Sequence, residues 1–230
     1  LRQGDHQIVE GAVAVLLAVN VDQVVDAAGQ PLHLLGVGFQ ETGLEAGGDF
    51  AGPLQGPFVA AVALLIDIEP RADDRGFFAR AFCRQEFKNQ GVEVDFLQTN
   101  ISMCHKRGTI RGLHWQAEPH GETKLFRCTK GEIFLAIVDL RLSSPTYLRW
   151  YAAQLNEHAR NMLLVPNGCA SGYQALADDV EAHYYVDAYY HPEAEHGIRW
   201  NDSTFDINWP IKDPVILSPK DASWPDFIPV

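Results

Sequence analysis

The sequence predicts an all-β domain, a sandwich, barrel or jelly roll with few short helices, beginning near residue 62. Two observations carry this reading: short apolar runs recur at strand spacing, and Gly, Pro or Asn turns separate them. Ala63–Ile68 reads as a strand ending at Pro70, which lacks the amide donor a ladder needs. Leu97–Ser102 alternates, the period-two pattern of a strand. Lys124–Cys128 turns at Lys130-Gly131 into Ile133–Val138, a continuous apolar run that marks a strand buried on both faces. Asn161–Val165 breaks at Pro166-Asn167-Gly168, and Gly172–Ala177 leads into Glu181–Val186. Helices are expected only near Arg84–Gln90 and Pro219–Ala222.

Residues 1–61 differ in kind. They hold one Arg, Arg2, against Asp5, Glu10, Asp22, Asp26, Glu41, Glu45 and Asp49, and no Ser, Lys, Tyr or Trp. Val13–Val25 fits a helix or a strand equally, and the Gly-rich stretch after it has little periodicity. This segment is expected to be a poorly ordered or non-native extension, with the functional domain at 62–230.

A formal charge of −12 argues against nucleic acid as a partner, because phosphate affinity needs a surplus of Lys and Arg. It leaves room for a small nucleotide, which needs only a local basic cluster. Cys83, Cys104, Cys128 and Cys169 are widely spaced with no C-x-x-C pair, so reduced, partly buried thiols are expected. The longest apolar runs, Gly11–Val19 and Phe58–Ile66, fall short of a membrane span. The first also lacks the basic flank of a secretory signal. A cytoplasmic protein without a membrane partner is the expectation.

The chemistry-bearing stretch is Arg111-Gly112-Leu113-His114-Trp115-Gln116. Strand alternation sets Arg111 and Leu113 on one face, with Gly112 and His114 on the other, leaving room for a ligand against the imidazole. Lys124, near the start of the next strand, is placed to meet His114 across a sheet, and His183-Tyr184-Tyr185 with Tyr189-Tyr190 supply phenols. Each of these residues alone is ordinary in a β-barrel. A metal is not expected: His114, Glu118 and His120 form no H-x-H, and Pro166-Asn167-Gly168-Cys169-Ala170-Ser171 has Ser where a ligand His would stand. Cys104 and His105, as strand neighbours, face apart and cannot pair. The glycines of 36–56 match neither phosphate-loop template.

Read in order, the segments resemble the dTDP-4-dehydrorhamnose 3,5-epimerase family. The resemblance runs from Ile68-Glu69-Pro70 through Asp74-Arg75-Gly76-Phe77-Phe78, Gln98-Thr99-Asn100-Ile101-Ser102 and Arg111–Gln116 to Lys124-Leu125. It continues with Val138-Asp139-Leu140-Arg141, Ser144-Pro145-Thr146, Pro166-Asn167-Gly168, Tyr189-Tyr190, Trp200-Asn201-Asp202 and Ser218-Pro219-Lys220-Asp221. It implies a cupin-type jelly roll, a homodimer, a nucleotide-sugar substrate, and no metal or other cofactor. By position, His114 resembles the catalytic base, Asp221 the carboxylate that orients it, Tyr184 the acid on the opposite face of the sugar, and Lys124 the group near the C4 oxygen. Gln98, Asn100, Arg111 and Tyr190 match substrate-binding positions, and Arg75 and Phe78 match residues contributed by the dimer partner. Two positions depart from the pattern. Ser171 replaces a pocket His, which bears on single against double epimerisation, and Arg80 replaces a Glu near the nucleotide base.

The implied reaction suits these residue types. A 4-keto sugar has weakly acidic C–H bonds at C3 and C5, and a base near neutrality with a paired carboxylate can take such a proton. A related cupin ketoisomerase on the same kind of substrate, or a pocket that binds a sugar nucleotide without turning it over, are the alternatives.

Overall fold

The computed structural model describes residues 63–89, 91–229 and the backbone strand Ala14–Leu17. The expectation for residues 1–61 otherwise lies outside the described residues. In chain order the strands are β1 (Ala14–Leu17), β2 (Leu64–Asp67), β3 (Arg71–Asp73), β4 (Gly76–Phe78), β5 (Gln98–Cys104), β6 (Ile110–Gln116) and β7 (Lys124–Lys130). Then come β8 (Glu132–Asp139), β9 (Trp150–Asn156), β10 (Met162–Val165), β11 (Cys169–Ala175), β12 (Val180–Val186) and β13 (Glu195–Gly197). The helices are α1 (Arg84–Asn89) and α2 (Pro219–Ala222).

The strands form a six-stranded sheet, β1-β2-β10-β7-β12-β5, facing a five-stranded sheet, β13-β6-β11-β8-β9, with β3 and β4 as a separate hairpin. Named pairings within the sheets are antiparallel, and the chain crosses repeatedly between the two sheets, which is the jelly-roll solution to closing two antiparallel layers. This cupin-type jelly roll meets the sequence expectation.

Three apolar layers hold it. The innermost lies between the sheets, where Phe126, Cys128, Val180 and Ala182 of one meet Ile133, Leu135, Leu155, Tyr173 and Ala175 of the other. A second packs α1 on the outer face of the six-stranded sheet, with Phe87 against Leu64, Ile66, Leu125, Met162 and Leu164. Burying such an aromatic contributes about 2–3 kcal/mol. The third sets Ile198, Phe205, Ile207 and Trp209 of the C-terminal segment against Ile110, Leu113, Ala136 and Val138. The β8 run thus divides between inner and outer layers, as its unbroken apolar pattern implied.

Polar clasps fix that C-terminal segment. Gln174, fully buried on β11, donates from Nε2 to the Ile211 carbonyl (2.7 Å) and accepts from the Ile211 N–H (2.9 Å). Trp209 donates from its indole to the Trp200 carbonyl at 2.7 Å. All four cysteines are free, with Cys104, Cys128 and Cys169 buried. Cys104 is buried and His105 exposed, so the two face apart as expected. Among the described residues no helix is long and apolar enough to cross a membrane.

The stretch from Asp139 to Thr146 is scaffolding. Asp139 accepts from Arg141 Nε (2.8 Å) and Nη2 (2.7 Å) and from the Thr146 hydroxyl (2.6 Å), closing the turn after β8. Burial opposes ionisation there, but the Arg141, Ser144 and Thr146 hydrogen bonds outweigh it and hold Asp139 at about 2, below its ordinary 3.8. A depressed folded value stabilises the fold above the ordinary value, and that contribution is lost as pH falls through about 2. Asp139→Asn should therefore cost about 2 kcal/mol in urea unfolding at pH 7. The gap between variant and wild type should close as the pH is lowered from 4 towards 2; an unchanged gap at pH 2 would refute the linkage.

Candidate active site

The site begins with a distortion of β6. His114 is in register with Ser171 on β11, and Arg111 with Tyr173, so three steps on β6 oppose two on β11. This bulge sits at Gly112, whose φ is 103°. A Cβ on Gly112 would come within 2.6 Å of the Ser171 carbonyl oxygen and 2.7 Å of the Gly172 Cα, so only glycine lets the strands approach. The bulge corrects the simple alternation expected from the sequence. Leu113 packs in the outer layer, whereas Arg111 turns inward to donate to Cys104 Sγ at 3.3 Å and to the Met103 carbonyl at 2.8 Å. Arg111 and His114 therefore share the inner face.

His114 Nε2 lies 2.6 Å from Asp221 Oδ1, with the imidazole 30% exposed and the carboxylate 6%. Asp221 is presented by local capping. Ser218 is the N-cap of α2 and accepts from the Asp221 N–H at 3.0 Å, and Pro219 takes the first helical position with its φ already set. Burial pushes the Asp221 carboxyl up. The hydrogen bond and charge of His114, with the Ser218 hydroxyl and the Gly112 N–H, more than offset this and hold it below the usual range.

Opposite His114, Gly197 on β13 carries no side chain, and the Trp224 indole occupies the space a Cβ would fill. The indole meets the His114 ring edge-on at 6.4 Å. Two buried polar atoms beside His114 have no partner among the described residues: Ser171 Oγ and Trp224 Nε1. Ser171 is 4% exposed, so a polar ligand in the pocket is what would satisfy it.

The facing wall comes from the six-stranded sheet. Lys124 is buried and pairs with Glu122 at 3.0 Å; its Nζ also points to the His114 carbonyl at 3.5 Å. It reaches His114 across the barrel interior and not across a sheet, since β6 and β7 belong to different sheets. Tyr184 stacks on Phe126 with ring centroids 4.7 Å apart, against the inner core. Burial, then the Glu122 charge, raises the Tyr184 hydroxyl above its ordinary value, with Arg111 opposing. Asn100 is the register partner of Tyr184, and Gln98 follows on the same face of β5.

The remaining predicted residues divide. Tyr190 is exposed and donates to Glu195, which also accepts from Lys220 Nζ at 2.6 Å. Glu195, Lys220 and Glu122 were missed in the sequence reading. Lys220 sat inside a quoted motif, but nothing in the composition of the three-residue β13 points to Glu195. Arg75 and Phe78 stand apart on the β3–β4 hairpin. Arg75 is paired with Asp73 at 2.5 Å, and Phe78 is 66% exposed. Arg80 lies 3.8 Å from Glu86 of α1, away from the dyad. Among the described residues, the group of His and acidic side chains with ligand spacing is His120, His191 and Glu193, and it does not include His114.

Comparison with known proteins fits this geometry. The family model for dTDP-4-dehydrorhamnose 3,5-epimerase matches residues 60–228. A dTDP-4-dehydrorhamnose 3,5-epimerase of Sinorhizobium fredii is 41% identical over 162 residues, covering 70% of this chain and 83% of the relative. The crystal structure of the Bacillus anthracis enzyme of that name, with TDP and PPi bound, superposes with a TM-score of 0.70 at 39% identity, covering 72% of this chain and 94% of that one. A 3'-monoepimerase from Streptomyces bikiniensis in complex with dTDP-quinovose gives 0.67 at 27% identity, covering 71% and 83%. With a family match over nearly all the described residues, this chain belongs to the dTDP-4-dehydrorhamnose 3,5-epimerase family.

Proposed function

We propose that this protein is an isomerase that epimerises C3, C5 or both of a dTDP-linked 4-keto-6-deoxy sugar, with residues 62–230 as the catalytic unit. The observation that carries the reading is a His–Asp dyad on the five-stranded sheet together with a half-buried phenol, Tyr184, stacked against the inner core from the other sheet. His114 takes the proton α to the C4 carbonyl, and the C–H electron pair moves into the carbonyl to leave an enolate. Asp221 fixes the imidazole tautomer and stabilises the imidazolium. Lys124, nearly excluded from water, supports the charge on the enolate oxygen. Tyr184 returns a proton from the opposite face as the enolate electrons reform the C–H bond, inverting the centre. A phenol is protonated at neutral pH, as a donor requires, and burial reinforces this by raising its hydroxyl further. Protons on imidazolium and phenolate re-equilibrate with solvent, and every step is supplied by side chains of the chain. In this reading Arg111, Gln98, Asn100 and Tyr190 hold the substrate. The compartment we propose is the cytoplasm, in keeping with four free thiols.

We also propose that the working unit is a homodimer in which Arg75 and Phe78 serve the partner's pocket. The support is a hairpin whose aromatic faces solvent, and β5, at the end of its sheet, with Leu97, Ile101 and Met103 exposed beside it. Unpaired edges with exposed apolar groups are normally covered.

Two outcomes are expected. In D₂O with a dTDP-4-keto-6-deoxy sugar, His114→Asn should lower both C–H exchange and epimerisation by about 10²–10⁴-fold. Tyr184→Phe should retain exchange while losing net inversion, because the enolate can still regain its proton from the original face. Wild-type exchange in His114→Asn would move the base elsewhere. Mixing two inactive chains, His114→Asn and Arg75→Ala/Phe78→Ala, should restore about a quarter of wild-type activity after random reassociation, since half the dimers then carry one intact site. No recovery, with mixed dimers present, would put the hairpin's role within its own chain.

A further inference from the structure

A second cluster of chemistry-bearing side chains lies outside the dyad and is used by none of the steps above. His120 follows β6, and His191 and Glu193 lie between β12 and β13. One ligand atom from each lies within 4.8 Å of the others. The two imidazoles are stacked, with centroids 3.7 Å apart and planes at 26°, and His191 Nδ1 is 3.2 Å from Glu193 Oε1. Buried Gln116 fastens the loops that bring them together. Its Nε2 donates to the carbonyls of His120 (3.1 Å) and Tyr189 (3.2 Å), and its Oε1 accepts from the His191 N–H (2.6 Å).

We propose that His120, His191 and Glu193 bind a divalent transition metal of the zinc type at the rim of the pocket. Two neutral imidazoles and one carboxylate are the borderline donor set that zinc takes, and the partial exposure of the group leaves a fourth position for water. Calcium and magnesium, which take oxygen ligands, do not suit it. Bond lengths of about 2.0–2.1 Å bring ligand atoms to about 3.3 Å from one another. The stacked rings must therefore turn about χ2 to aim at one point, while Gln116 keeps their backbones in place. The net charge of −12 concentrates cations near the surface. The metal is peripheral: no catalytic step passes through it.

The test is calorimetric titration of chelator-treated full-length protein with ZnCl₂. One zinc per chain should bind, and His120→Ala and His191→Ala should each weaken binding by about a hundredfold or more, with Glu193→Gln intermediate. Cys83→Ser, a control for the partly exposed thiol, should bind as wild type. A zinc anomalous peak between His120 and His191 in soaked crystals is the independent readout, and chelated protein should keep full epimerase turnover. Absence of stoichiometric binding, binding unchanged in both His variants, or binding lost in Cys83→Ser would overturn the site. Turnover that falls on chelation and returns with zinc would overturn its peripheral role.

Discussion

The 2.6 Å contact between His114 Nε2 and Asp221 Oδ1 sets what the rest of the chain must do. It joins two positions 107 residues apart, one in a strand and one in a four-residue helix. A carboxylate this far from water is costly unless its charge is answered on every side. The answer draws on three separate pieces of structure. The Gly112 bulge delivers both an N–H and the imidazole, and the Ser218 cap aims the helix. The C-terminal segment must be held firmly enough to carry that helix home. The Gln174–Ile211 clasp and the Trp209 anchor on Trp200 do that holding. Much of the third core layer can be understood as the support of one carboxylate.

The same economy explains how an acidic protein can offer a site for an anionic substrate. The overall charge is −12, yet Arg111 and Lys124 border His114 and Lys220 is the neighbour of Asp221 in α2. Lys124 and Lys220 are matched by a local carboxylate, Glu122 and Glu195, so the pocket is near neutrality before a ligand arrives. Desolvating matched pairs costs less than desolvating lone cations, and the pairs hold the ammonium groups in fixed positions. Electrostatics at the site are thus set by pairs and not by the sign of the whole surface.

How much of this was legible beforehand depended on what each feature rests on. An unbroken apolar pattern such as that of β8 could be read from period alone, because burial selects its side chains, whereas the alternation of β5 marks a strand whose apolar face, with Ile101 and Met103, is exposed. The hairpin β3–β4 and strand β9 could not, since their exposed or mixed faces leave no apolar rhythm. Strand alternation points to His114, but its pairing with Asp221 follows only from the family resemblance, because that pairing is purely tertiary. The register of β6 was misread for a physical reason. Alternation assumes a regular pleat, and the glycine that breaks the pleat was taken only as an empty space beside the histidine. Sharing a motif with a family also says nothing about its use: Asp139, Arg141 and Thr146 join in hydrogen bonds that close the turn after β8.

One consequence joins the fold to the proposed dimer. A jelly roll buries its two inner faces, but an open sheet still ends in a strand whose outer edge lacks a partner. Among the described residues that strand is β5, and it carries Gln98 and Asn100, the register partner of Tyr184, on one face, while Ile101 on its other face is 69% exposed. The edge that needs covering is therefore also the edge that borders the site. A second copy laid along it would bury the apolar groups and wall the pocket in the same step. The β3–β4 hairpin, with Arg160 over the Phe77 ring and Phe78 66% exposed, would serve as an arm in the proposed dimer. Excluding water strengthens each charge interaction the enolate relies on. In the proposed dimer, closing the sheet edge and raising catalytic power would be one requirement, met by one surface.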